Sequence, residues 1–352
     1  MEARNKKQEW YLMRYLGSKI LLLDKISNFI PKNTQTLCDI FAGTASVGKY
    51  FKKSYNLISN DILYFSFILQ KAYLQLYEEP KFSKFIAYFN NHPIDYFNER
   101  TSSYNFLNKP FIYENYSPNK NCQRSYFSVE NALKIDYIRQ SIEQFLKDKI
   151  INQGEYYYLL ASLIEAVSLV SNTTGTYGAY LKTWDKRSLK PLTLSLLDID
   201  FYKKTNILCF NENSNSLIDK ISGDVLYIDP PYNSRQYASN YHILETIARY
   251  DYPKISGVTG MRDYTSLKSN FCIKAKAGLE LDNLVSRADF KHIILSYSSE
   301  GIISEMDIEN ILKKYGKEAT YKCEKIPYRR YKNNKEAKNN VNELLFYIEK
   351  YT

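Results

Sequence analysis

Residues 36–61 restrict the fold more than any other stretch of the chain: TLCDIFAGTASVGKYF followed closely by YNLISND. A short apolar run ends on Asp39 and Phe41, Gly43 opens a turn, and Val47, Tyr50 and Phe51 then recur at helical spacing. Residues 55–61 form a second apolar run that ends on a carboxylate, and residues 62–77 continue as a mostly apolar helix. Strand, turn, helix and strand make a βαβ unit, which commits the chain to a crossover and hence to a parallel pair.

The same alternation continues downstream. Further β-type runs stand at 206–210, 224–228, 292–297 and 343–348, and helical stretches near 240–250, 270–286 and 303–315. Together they predict an α/β fold of Rossmann type, a mainly parallel sheet with helices on both faces. Two segments break the rhythm. Residues 81–127 are rich in Asn, Tyr, Pro and Lys and read as irregular structure with one short helix. Ser128 then reads as the N-cap of a helix carrying Ile135, Ile138, Ile142 and Phe145 on one face, and 156–170 as a second, buried helix. Residues 172–191, NTTGTYGAYLKTWDKRSLKP, read as a polar and aromatic loop. With no Pro/Gly/Ser linker, the expectation is a single domain over 1–352, with 81–150 and 172–205 inserted as helical and irregular segments.

The 48 Lys and Arg against 38 Asp and Glu give a formal charge of +10, which favours a polyanionic partner such as nucleic acid. Five cysteines stand singly without a CxxC pair, and no secretory signal precedes them, so they read as reduced thiols of a cytoplasmic protein. No apolar run approaches the roughly 18 residues of a membrane span. His92, His242 and His292 are too scattered for a metal site, and none is expected.

The chemistry concentrates after the run DVLYI, where Asp229, Pro230, Pro231 and Tyr232 follow directly. Ligand sites in open α/β sheets lie at the carboxyl ends of strands, so this tetrapeptide sits where chemistry is expected. Two prolines remove two donors and fix φ, leaving a stiff turn suited to a site that needs acceptors. An adenine N6 amine is a poor nucleophile because its lone pair is delocalised into the ring. The Asp229 carboxylate and the Pro230 carbonyl could accept its hydrogens, and Tyr232 could stack on a base turned out of a duplex. Standing alone, DPPY also fits a strand-ending turn without function. The turn DIFAGTASVG lacks GxGxxG spacing, which disfavours a dinucleotide. Asp61 lies where an acid can accept from ribose hydroxyls, and equally where a helix N-cap would stand. In RYLGSK, residues 14–19, Lys19 could pair with the carboxylate of a bound amino acid and Tyr15 offers an aromatic wall.

RYLGSK, DIFAGTASVG, ND and DPPY in that order resemble the alpha-class N6-adenine DNA methyltransferases, the Dam-like enzymes and the FokI-type methylases of restriction-modification systems. NTTGTYGAYLK, SNYHILETIARYD, ILSYSSEGII, YRRYK and ELLFYI resemble later blocks of that family, so the likeness covers nearly the whole chain. The resemblance implies a methyltransferase fold, S-adenosyl-L-methionine as cofactor, and a flipped adenine in double-stranded DNA as target. It also implies a restriction-modification setting, with a separately encoded cognate endonuclease as companion. By the same resemblance Tyr15, Gly17 and Lys19 fall in the N-terminal cofactor motif. Asp39, Phe41, Ala42, Gly43 and Thr44 fall in the cofactor turn, Asp61 is the ribose acid, and Asp229 to Tyr232 are catalytic, Asp229 also touching cofactor. Asn213 stands near where relatives often carry an Asp that contacts the cofactor's adenine. The GTYGAYLK core resembles a block close to the target base, which points Asn172, Tyr177, Tyr180, Lys182, Lys186 and Arg187 toward DNA. An RNA adenine, glutamine or cytosine-N4 methyltransferase would share the tetrad, and the early RYLGSK block favours the DNA class. A non-catalytic DNA-binding protein on this fold would not need both tetrad and turn intact, and the motifs leave no room here for a fused nuclease.

Overall fold

The computed structural model describes residue 17 and residues 19–101, 104–328 and 341–351. Tyr15 and most of the YRRYK block lie outside the described residues. The strands are β1 (Thr36–Asp39), β2 (Asn56–Asn60), β3 (Ile207–Phe210), β4 (Ser222–Ile228), β5 (Ile255–Ser256), β6 (Met261–Arg262), β7 (Asp289–Ser298), β8 (Lys322–Tyr328) and β9 (Val341–Glu349). The described residues divide into two compact units, one of 19–77, 202–237, 265–328 and 341–351, the other of 17, 78–101, 104–201 and 238–264.

The first unit holds a seven-stranded sheet in the order β3-β2-β1-β4-β7-β9-β8. From β3 to β7 every pairing is parallel, while β9 runs antiparallel to both β7 and β8. This is the Rossmann-like sheet expected from the alternating runs. Buried strands explain those runs: Leu37 and Cys38 of β1, Val225 to Ile228 of β4 and Ile293 to Leu295 of β7 are inaccessible to solvent or nearly so. The helix Lys274–Arg287 buries Ala277, Leu281, Leu284 and Val285, one stripe at helical spacing, in the cluster that includes Ile228, Phe290, Ile293 and Leu295. At the amino ends of the strands, Asp224 accepts from the backbone of Gln35 (2.9 Å) and Thr36 (3.0 Å) and from Lys291 (2.7 Å), joining β1, β4 and β7.

β8 has no counterpart among the predicted strands. KCEKIPY has three lysine or glutamate side chains in its first four residues and a proline near its end, the composition of an edge strand that shields its free side from further pairing.

The second unit is mainly helical. Ser128 caps the helix Val129–Lys147 by accepting from Asn131 N–H (3.2 Å), as its sequence predicts, and Asn152 with Glu155 forms a capping box on Gln153–Val170. The single short helix expected within 81–127 is corrected to three: Ser83–Phe89, Pro93–Glu99 and Phe111–Tyr116. Each is under two turns, too short to display a period, and the last is started from afar, by Asp136 accepting from the backbone of Ile112 (2.8 Å) and Tyr113 (2.9 Å). Arg139, 3% exposed, donates to the carbonyls of Ile247 and Ala248 at the end of the helix His242–Arg249. β5 and β6 form a short antiparallel ribbon.

Candidate active site

The strand order reverses direction between β1 and β4, so their carboxyl ends flank the topological switch point where doubly wound sheets bind ligands. Asp39 is the last residue of β1, and Asp229 follows β4 directly. Because β1 and β4 pair in register, Asp39 opposite Tyr227, two carboxylates arrive at the same edge.

The turn after β1 is built to expose backbone. Gly43 and Ala45 both adopt left-handed conformations (φ 52° and 63°), and Ala42 N–H donates to the Asn60 carbonyl at 2.8 Å. Asp61, just past β2, accepts from Gly43 N–H and Leu63 N–H, both at 2.9 Å, so this acid shapes the turn as well as the start of the following helix. Phe41 sets its ring edge against Phe271 (5.3 Å), and the Thr44 hydroxyl lies 3.3 Å from that of Ser46. Asn60 crosslinks three strand ends: its amide donates to the carbonyls of Ile40 (3.0 Å) and Glu212 (3.1 Å) and accepts from Glu212 N–H (3.0 Å). Asn213 caps the helix Ser214–Leu217 by accepting from Asn215 N–H at 2.9 Å, so its carbonyl oxygen is already engaged.

On the other side of the switch point Lys19 is buried, 6% exposed, yet charged. Its Nζ lies 2.7 Å from Glu343 Oε1 and 3.1 Å from Asp229 Oδ1, and 6.0 Å from the centre of the Tyr232 ring. Burial opposes the charge, but the two carboxylates and Tyr227 hold the ammonium above the usual lysine range. Asp229 keeps 16% exposure on its side chain, so a ligand can reach it. Burial raises its carboxyl to about 7, against the pull of Lys19 and with the push of Glu343. Asp39 is displaced the same way: burial and the neighbouring Asp229 and Asp61 push it well above the carboxylate range, and its Oδ1 has no hydrogen-bond partner. Tyr232 is fixed from below, its carbonyl accepting from Ile302 N–H (2.9 Å) and its ring edge-on to Tyr297 (6.4 Å). Gly301 is required there, since a Cβ would stand 2.1 Å from the Tyr297 ring.

Thus Lys19, Asp39, the 41–44 turn, Asp61 and the 229–232 tetrad share one edge of the sheet, and Gly17 precedes them in a left-handed conformation (φ 81°). Glu343 and Ser296, whose hydroxyl donates to Glu343 Oε1 at 2.7 Å, complete the cluster and were not singled out from the sequence. The available signal was a glutamate at the head of the otherwise apolar run 343–348.

In the helical unit the loop residues separate. Asn172 is inaccessible: its amide donates to the Ser125 and Leu181 carbonyls, both at 3.0 Å, and its oxygen accepts from Asp185 N–H at 2.9 Å. Tyr177 is 2% exposed, and its carbonyl is held by Tyr126 (2.8 Å) and His242 (2.9 Å). Arg187 turns inward to the carbonyls of Ser171 (3.2 Å) and Thr173 (3.3 Å). These three organise the loop, a correction to their expected outward orientation. Lys182 and Lys186 are exposed, and Tyr180 is half-buried with its ring 5.0 Å from that of Tyr126.

Fold and site together define a Rossmann-like protein with an acidic side-chain cluster at its switch point. Comparison with known proteins narrows the class. A profile of the D12 class N6 adenine-specific DNA methyltransferases matches residues 15–311, and the chain belongs to that family. It is 48% identical over 343 residues to the type II methyltransferase M.FokI of Planomicrobium okeanokoites, covering 96% of this chain and 53% of that protein. The modification methylase StsI of Streptococcus sanguinis is 45% identical, over 96% of this chain and 52% of its own. The chain therefore spans about half the length of these two relatives. The type II methyltransferase M.NlaIII of Neisseria lactamica is 35% identical, over 96% of this chain and 99% of its own length.

Proposed function

We propose that the protein is a site-specific DNA methyltransferase that transfers a methyl group to the N6 amine of an adenine turned out of duplex DNA. The observation that carries the reading is the pairing of Asp229, reachable and stiffened by Pro230 and Pro231, with the open turn of Asp39 to Thr44 across the switch point. S-adenosyl-L-methionine fits the residues present. The one buried cation, Lys19, is already taken by Glu343 and Asp229, which leaves Asp39 and Asp61 on the other side of the switch point without a cation from Lys19, and the unpartnered Asp39 oxygen suits a cationic ligand. Asp39 and the 41–44 backbone would hold its amino acid part, and Asp61 its ribose. Bound there, the cofactor supplies an electrophilic methyl group on sulfur.

The chain's own groups do the rest. Asp229 and the Pro230 carbonyl accept the amine's two N–H groups, which localises the nitrogen lone pair for attack. Tyr232 stacks on the base, and Lys19 steadies Asp229 from behind. As the new N–C bond forms, the methyl–sulfur bond would break with its electron pair left on sulfur, and the surplus proton would leave toward Asp229, whose carboxyl titrates near neutrality and can take it up. Lys182, Lys186 and Tyr180 would face the DNA from the 172–191 loop, with 86–127 as a further contact segment. M.FokI and M.NlaIII are named type II methyltransferases, which supports a restriction-modification role with a separately encoded endonuclease. That role implies a cytoplasmic location at the nucleoid, to which the five free cysteines are suited. Among the described residues no helix is long and apolar enough to cross a membrane.

Modified-base sequencing of DNA from cells expressing the protein tests the reading. N6-methyladenine should appear in one short sequence context, disappear with Asp229→Ala, and become partial with Asp61→Ala, whose cofactor affinity should fall about tenfold as the hydrogen bond to Gly43 of the turn and the one to Leu63 at the next helix start are lost. Methylation that persists in Asp229→Ala would refute it.

A further inference from the structure

Lys19 contacts two carboxylates, and the closer is not the one assigned to the reaction. Nζ lies 2.7 Å from Glu343 Oε1 against 3.1 Å from Asp229 Oδ1. Glu343 is itself fixed: it belongs to β9, is buried, and takes a 2.7 Å hydrogen bond from Ser296 on the adjacent strand β7, on the same Oε1 that faces Lys19. A lysine with one buried anion within reach would settle fully on it. Here a second, better anchored anion holds the ammonium back, and its contact to Asp229 is made through Oδ1.

We propose that Glu343 is a positioning residue for the transfer reaction: with Ser296 it tethers Lys19, so that the lysine touches one oxygen of Asp229 and leaves Oδ2 to accept from the target amine. The proposal rests on the reading of the protein as an adenine methyltransferase. It also assigns the charge of the site a purpose. With Asp229 ionised, Lys19, Asp229 and Glu343 together carry one net negative charge, and among the described residues Asp39 on β1, Asp61 after β2, Tyr227 on β4 and Tyr232 are further titratable groups near them. Without Glu343 the buried set becomes a neutral Lys19–Asp229 pair, and Asp229 becomes a weaker acceptor because its negative charge is spent on the lysine.

The test uses the full chain, whole-genome-amplified DNA and tritiated S-adenosylmethionine, with kcat followed across pH and cofactor Kd measured separately by calorimetry. Glu343→Gln should lower kcat about tenfold or more and leave cofactor Kd within about threefold, because the fault lies in alignment. Its acid limb should move down by about one pH unit, since the anion that raised Asp229 is gone. Glu343→Asp should return the limb toward the wild-type position, and Ser296→Ala should move it in the direction of Glu343→Gln by a smaller amount. A Glu343→Gln protein with the wild-type limb overturns the proposal even if kcat falls, since a purely structural role predicts that pattern. Should Glu343→Gln fail to fold, Ser296→Ala decides alone, an unmoved limb overturning the proposal. Asp229→Ala, run alongside, separates the two levels: turnover retained there would overturn the function itself, whatever Glu343 does.

Discussion

Replacing Lys19 by Met removes the cation from a buried pair of carboxylates and keeps most of the side chain's apolar volume. Lys19 is 6% exposed and its two partners lie 2.7 and 3.1 Å away, so the loss leaves Glu343 and Asp229 facing each other without compensation. Breaking a buried ion pair by deleting one member costs about 3–5 kcal/mol. The pH dependence identifies the cause. In the wild type the Asp229 carboxyl is raised to about 7, so between about pH 4 and pH 7 the folded state holds a proton that the unfolded chain has released, and stability falls as pH rises through that window. Without Lys19 the carboxyl rises further, and the folded variant keeps its proton above pH 7. At about 1.4 kcal/mol per pH unit per proton, the gap between variant and wild type should narrow by about 2 kcal/mol from pH 8.5 to pH 6. Urea unfolding followed by circular dichroism at a series of pH values measures it. A variant that loses under 1 kcal/mol at about pH 8.5, or whose loss is the same at both ends of the range, would show that Lys19 does not neutralise this site.

Two further outcomes follow from the geometry. Binding of S-adenosylmethionine brings positive charge beside Asp39 and Asp229, so it should expel up to about half a proton from Asp229 at neutral pH; calorimetry in buffers of different ionisation enthalpy reads this, and a proton-neutral binding event refutes it. Lys182→Ala with Lys186→Ala should weaken binding to all duplexes and reduce the salt slope by up to about one log unit per lost phosphate contact, whereas Arg187→Ala should instead lower the melting temperature, because its bonds run to the loop's own carbonyls. An unchanged slope in the double lysine variant would remove this face of the loop from the DNA interface.

What the sequence disclosed and what it withheld divide along a physical line. Asp39, Gly43, Asp61 and Asp229 were legible because each stands at the end of an apolar run, where strand, turn and ligand chemistry are local properties of a few residues. β8 was not, because an edge strand is shaped by what it must avoid and so lacks an apolar run. The helix Phe111–Tyr116 was not, because its capping carboxylate, Asp136, comes from another helix.

Asn172 illustrates a deeper ambiguity. An asparagine in a basic, aromatic loop can read a base edge or satisfy buried backbone with the same donors and acceptor. Only burial decides, and burial depends on Ser125, Leu181 and Asp185 arriving together. Glu343 is the same problem at the active site. Asp229 could be assigned from its neighbours in the chain, but its proton is governed by burial, by Lys19 from the amino-terminal segment, 3.1 Å away, and by Glu343 of β9, itself 2.7 Å from that lysine. A motif can therefore name the acceptor, while the strength of that acceptor is set by groups remote in sequence. A domain that keeps the DPPY tetrad but carries a neutral residue at the Glu343 position should accordingly differ in its pH profile before it differs in the reaction it catalyses.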